Sequence, residues 1–142
     1  MKQKGFATLE VILMVMVIAI LASIAVPRFT SVTTAANTAK IQADLSTIDS
    51  AIAVYYMEHG EYPAGENLDA LKDYLQNKDL EPPTGYAYIK ADSGDPTETK
   101  ISGEYGLKAV EGTKIGEVQA ALGDNTADKF YIPKKSSAAN NG

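Results

Sequence analysis

The stretch Lys2-Gln3-Lys4-Gly5-Phe6-Ala7-Thr8-Leu9-Glu10 runs directly into sixteen residues, Val11 to Val26, that hold one Ser and no charge. Counted from Phe6, the apolar stretch is twenty-one residues long, with the single carboxylate of Glu10 inside it. As a helix at ~1.5 Å per residue it is about 31 Å long, which matches the ~30 Å hydrocarbon core of a bilayer. The stretch therefore reads as a membrane helix over residues 6–26. A carboxylate in hydrocarbon is costly and needs a partner. Lys2 and Lys4 lie just outside the run. The other candidate is an amine that exists only if the chain is cut between Gly5 and Phe6.

The pattern Lys4-Gly5-Phe6-x-x-x-Glu10, an apolar run and then Pro27-Arg28-Phe29 resembles the class III leader of type IV pilins and type II secretion pseudopilins. The resemblance implies a leader over residues 1–5, cleavage after Gly5 by a prepilin peptidase, and methylation of the freed amine of Phe6. Glu10 stands where that family has its hallmark carboxylate, and Pro27 matches the proline after its apolar run. One departure is visible: the family commonly has Thr directly after Phe and then two aliphatics, where this chain has Ala7-Thr8-Leu9. The string Asp44-Leu45-x-x-Ile48, then Tyr55-Tyr56, then Gly60-x-Tyr62-Pro63 looks like the pseudopilin branch and carries the resemblance to about residue 75. The implied fold is α+β and pilin-like, a long N-terminal helix packed on a small antiparallel sheet. The implied partners are further copies of the chain in a homopolymer, minor pilins or pseudopilins, the peptidase, an inner-membrane assembly platform and lipid.

Glu10 has a direct physical reading in that setting. A buried carboxylate is tolerable when it meets a buried ammonium. The Phe6 amine lies four residues away on the same helix face. In a staggered filament a neighbour's amine would serve instead, and the charge pair would set the axial offset between subunits. Buried polar groups fix register in this way in coiled coils. The plain alternative is a signal anchor whose Glu10 reaches to the interface.

The chain has 142 residues, enough for one small domain beyond the anchor. It has no Cys, so neither disulfide nor thiolate chemistry is available. Its formal charge is -5; loss of Lys2 and Lys4 takes 13 basic side chains to 11 against 18 acidic ones, or -7. That balance argues against nucleic-acid binding, which needs a basic face. A secretory signal is cut after its apolar run; here the suspected cut precedes it, so the helix stays. By the positive-inside rule the flanking lysines are expected to place the N-terminus in the cytoplasm and residues beyond Pro27 outside; the resemblance implies a single-pass inner-membrane protein that then enters a pilus or pseudopilus.

Beyond the anchor, residues 27–133 read as amphipathic helix and head. Pro27 lacks a donor and clashes with the Ser23 carbonyl, and a kink is expected rather than an end because helical patterning resumes at once. Ile41, Leu45, Ile48, Ile52 and Tyr55 form one helix stripe and predict the core face. Asp44, Asp49, Gln42 and Ser50 are read as lying away from it. Gly60 and Pro63 end the helix near His59, a cap or solvated side chain. Asn67 is expected to cap a short helix bearing Leu68, Leu71 and Leu75. Strands are expected at 86–91 and 104–110, paired antiparallel, with a loop over 92–102 between them. Lys114 to Leu122 suits a short helix, Lys129 to Ile132 a third strand, and residues 134–142 a mobile tail.

Two acidic clusters raise Ca²⁺ as a possible cofactor: Asp92, Asp95 and Glu98, and, in the part of the chain where major pseudopilins often hold calcium, Asp124, Asn125 and Asp128. The spacing of the second cluster does not match an acidic-Gly calcium motif well, and a solvated loop is the simpler reading for either cluster. With no Cys, one His, no P-loop and no zinc spacing, the chain reads as no enzyme. The expected function is a structural subunit of a type IV pilus or a type II secretion pseudopilus. A DNA-uptake competence pilin is a variant of the same class. The rival from another class is a monomeric membrane-anchored binding module, in which Phe6 is never freed.

Overall fold

The computed structural model describes residues 3–92, 94–112 and 116–133. The expected leader residues 1 and 2 and the tail 134–142 lie outside the described residues. Two compact units emerge, residues 1–33 and 34–142.

One helix, α1 (Gln3–His59), runs through Pro27 without interruption, so the proline does not end it. Pro27 has no N–H to give the Ser23 carbonyl. Hydroxyls close to it turn back on the helix: Ser23 Oγ donates to the Ile20 carbonyl at 2.7 Å, and Thr33 Oγ1 to the Phe29 carbonyl at 2.9 Å. In the first unit the apolar side chains are exposed all round the helix, from Phe6 at 74 % to Val26 at 63 %. A helix apolar on every face is built for an apolar surrounding.

The second unit packs a head on the later part of α1. Ile41, Leu45 and Ile48 are fully buried and Ile52 nearly so, and half-buried Tyr55 packs against this cluster, as the stripe predicts. Gly60 stops the helix in a left-handed conformation (φ +76°), its N–H donating to the Tyr56 carbonyl at 2.8 Å. The expected short helix after Asn67 is a single 3₁₀ turn, Asp69–Leu71. Asn67 Oδ1 does accept the Asp69 N–H, at 3.2 Å. Leu71 and Leu75 are buried in the core, so the apolar spacing reported burial correctly but not helix length.

The sheet differs from expectation in its pairing. β1 (Tyr86–Ile89) pairs antiparallel with β2 (Thr97–Lys100), which lies inside the stretch expected to be a loop. β2 is the solvated sequence Thr-Glu-Thr-Lys, exposed throughout, so no apolar alternation marks it. β3 (Tyr105–Ala109) therefore does not pair with β1; it pairs antiparallel with β4 (Val118–Leu122) in the register Tyr105 to Leu122. The expected helix over 114–122 is this strand; residues 113–115 lie outside the described ones. Val118 and Leu122 stand four apart, a spacing that fits a helix face as well as one face of a strand. β5 (Asn125–Thr126) follows through Gly123 at φ +57° and completes the order β3-β4-β5. The expected third strand over 129–132 is instead a 3₁₀ turn, Ala127–Lys129, followed by one bridge from Phe130 to Ile89. Phe130 is 2 % exposed and fills the core. The architecture is α+β, a long helix with a small antiparallel sheet region on its later part.

Candidate functional site

Two regions concern function: the apolar segment of α1 in the first unit, and the polar seam that fastens the head to α1 in the second.

In the first unit Gly5, Phe6 and Glu10 all lie on α1. Glu10 is exposed, and Leu13, Met14, Val17 and Ile18 flank it along the helix, all apolar. A methyl group added at Gly5 would meet nothing within 4 Å. Thus the helix does not require glycine at residue 5 for space, and the one carboxylate of the segment stands on an apolar face.

The seam in the second unit is built from polar side chains of α1. Thr34 and Thr38 carry the stripe back in register, by steps of 4 and 3 before Ile41, and both are buried. Thr38 Oγ1 donates to the Thr34 carbonyl at 2.7 Å and accepts the Tyr88 N–H at 2.8 Å. Asn37 Nδ2 donates to the carbonyls of Thr84 and Tyr86 at 3.1 and 3.0 Å. Gln42, Asp44 and Asp49, expected to face away, are half-buried and face the head. Gln42 Nε2 donates to the Phe130 carbonyl at 2.7 Å. Asp49 Oδ1 accepts the Ala120 N–H at 2.7 Å. Asp44 Oδ2 accepts from Tyr105 Oη at 2.6 Å and from Lys40 Nζ at 2.5 Å. Of the four, only Ser50 is exposed. The physical reason is that head segments approaching α1 bring peptide groups that must stay hydrogen-bonded once dry. The signal was present: Asp44 lies three after Ile41 and four before Ile48, on the stripe itself.

Tyr105 is held protonated. Burial and its bond to Asp44 both push its phenol far above the ordinary tyrosine value. Tyr74 Oη donates to Glu58 at 2.6 Å, and that bond, with partial burial, pushes it up to about 12. His59 Nδ1 lies 3.1 Å from the Tyr55 carbonyl and its ring stacks on Tyr55 at 4.2 Å, so it closes the helix end.

Several of the calcium candidates are drawn into other contacts. Asp128 accepts from Thr126 Oγ1, the Asp124 carbonyl accepts from Lys108 Nζ at 2.8 Å, Asp92 pairs with Lys129, and Glu98 accepts from Tyr88 Oη. Asn125 lies in β5. Among the described residues no group of three or more His, Cys, Asp or Glu is arranged to hold a metal ion.

Comparison with known proteins gives the same class as the architecture. α1 contains a window of mean hydropathy 2.8, long and apolar enough to cross a membrane. The chain is similar to a fimbrial protein of Neisseria meningitidis serogroup A, 32% identical over 133 residues, which are 94% of this chain and 63% of that protein. It is similar to type II secretion system core protein G of Pectobacterium carotovorum, 28% identical over 69% of this chain and 64% of that protein. It is also similar to the type IV narrow pilus major component PilA5 of Thermus thermophilus, 41% identical over 49% of this chain and 60% of that protein. These similarities support a type IV pilin and pseudopilin family for the chain. The chain spans less than two thirds of the length of each of these relatives. They are named for fimbriae, pili and a secretion system, and none for an enzyme. No family model matches the chain. No solved structure matches it.

Proposed function

We propose that this chain is a structural subunit of a type IV filament, cut between Gly5 and Phe6, methylated at the Phe6 amine and polymerised through residues 6–26. The observation that carries the reading is the segment of α1 over residues 6–26, its apolar side chains exposed all round, whose one carboxylate is Glu10. Such a surface exchanges lipid contacts for helix contacts of similar polarity on leaving the membrane. Glu10 then accepts the Phe6 ammonium of a neighbouring copy, and Pro27 marks where α1 lacks one backbone bond. The assembled form we favour is a pilus over a secretion pseudopilus. That preference rests on the reach of the similarity, 94% of this chain for the fimbrial protein against 69% for core protein G.

The test is the mass of the N-terminal peptide in material sheared from intact cells. Methylated Phe6 in the sheared fraction is expected. Methylated Phe6 confined to the envelope would move the protein to a secretion pseudopilus. A membrane protein that keeps Met1 would leave an anchored binding module and end the filament reading.

A further inference from the structure

From the charge distribution of the head we infer that the cleft holding Lys90, Lys108 and Lys129 is a docking site for the acidic segment 58–81 of a second copy of this chain. The inference rests on the filament reading above and names a contact between heads.

The cleft, about 430 Å³, lies where four stretches of the chain converge. Lys90 follows β1, Lys108 sits in β3, and Lys129 closes the turn before Phe130. The Lys90 N–H donates to the Lys129 carbonyl at 2.7 Å, which puts those two residues side by side. Three ammonium and two carboxylate side chains, Asp92 and Asp124, line the cleft, a balance of +1 on a chain of -5. Lys90 makes no ion pair among the described residues. Lys108 spends one hydrogen bond on the neutral carbonyl of Asp124 and makes no ion pair among the described residues. Only Lys129 is paired, with Asp92. The Lys129 side chain is 29% exposed and that of Asp92 is 95% exposed, so the cation is seated in the cleft while its carboxylate hangs in water. An incoming carboxylate can take that place.

The occupant follows from the rest of the chain. Residues 58–81 carry seven acidic side chains and two lysines, a balance of -5. Lys72 and Lys78 are both taken up within the segment, by Asp69 and Asp73. Glu61, Glu66 and Glu81 are exposed and make no ion pair among the described residues. Two copies with such heads repel each other unless these carboxylates meet lysines. A contact between two different patches is heterologous and propagates from copy to copy rather than closing on itself.

The experiment uses full-length protein in sheared filaments. Because the lysines are exposed or partly so, Lys90→Glu with Lys108→Glu should leave the amount of subunit in the membrane unchanged. Sheared filament should fall by at least about fivefold at low salt, the scale of a pair of exposed ion pairs, and adding Glu61→Lys with Glu81→Lys should restore it. Zero-length carbodiimide coupling of wild-type filaments should join Lys90 or Lys108 to Glu61, Glu66 or Glu81 in a product of dimer mass. Wild-type filament yield in the lysine variant, with these lysines absent from dimer cross-links, would overturn the inference and leave the filament reading standing. Loss of filament without rescue by the swapped charges, again with no such cross-link, would overturn it as well. Absence of filaments from wild-type cells would instead sink the filament reading and this contact with it.

Discussion

Tyr105 Oη donates to Asp44 Oδ2 at 2.6 Å, tying the first residue of β3 to the later part of α1. The residues are 61 apart in sequence. Their bond explains two otherwise odd choices, a carboxylate on an apolar stripe and a phenol in a core. The pair also sets how the head responds to alkali. Tyr105 has its pKa raised in the folded chain, and the unfolded value is about 10. Below pH ~10 the contribution is complete; above it the unfolded chain binds fewer protons than the folded one, so stability falls as pH rises. Tyr74, pushed up to about 12, adds a slope of the same sign between about 10 and about 12. Thermal melts from pH 8 to 11.5 should show this decline. Tyr105→Phe should flatten it and cost about 1–3 kcal/mol at neutral pH, as expected for a bond to a charged group.

Asp49→Ala strips the Ala120 N–H of its acceptor in a buried part of β4. The expected loss is about 1–3 kcal/mol. Asp49→Asn keeps an acceptor oxygen and should recover most of it. Urea unfolding followed by circular dichroism measures both. Equal stability of Asp49→Ala and wild type would remove Asp49 from the seam.

Gly106 is a matter of space. A Cβ there would lie 2.4 Å from the Glu66 carbonyl oxygen, which accepts the Leu107 N–H at 2.8 Å. No backbone oxygen tolerates that approach, so Gly106→Ala must push the 60s segment off β3. A loss of about 1–3 kcal/mol in the same urea experiment is expected. Gly60→Ala should cost about 1 kcal/mol for its left-handed conformation alone, with no steric partner nearby.

Glu10→Ala should leave a membrane-resident protein with a normal head melt and deplete the sheared filament fraction by at least about tenfold, the loss of a buried charge partner. Gly5→Ala should leave α1 and the head undisturbed, since the added methyl meets nothing. It should block N-terminal processing, read by the mass of the N-terminal peptide. Processing that survives Gly5→Ala would remove Gly5 from the cleavage site.

Millimolar Ca²⁺ or chelator should shift the melting temperature by less than ~1 °C. Asp92, Glu98 and Asp128 are engaged elsewhere, and a bound ion would stabilise with the logarithm of its concentration. A concentration-dependent rise would restore Asp124, Asn125 and Asp128 as ligands.

The chain alone determined the long helix, its apolar anchor, its core stripe from Ile41 to Tyr55 and its end at Gly60. Each of these is local: a run of apolar side chains, a 3.6-residue period, a glycine free to turn left. The sheet pairing was decided only in three dimensions. β2 is a solvated Thr-Glu-Thr-Lys strand held by its hydrogen bonds to β1, and β4 becomes a strand because β3 is there to pair with it. Likewise Thr38, Gln42 and Asp49 look like ordinary helix polar residues until peptide groups 50 to 88 residues away need partners, and Asp44 does until the Tyr105 phenol arrives. Local periodicity reports which face is buried; it carries no record of which distant backbone arrives there, and that is what tertiary packing supplies.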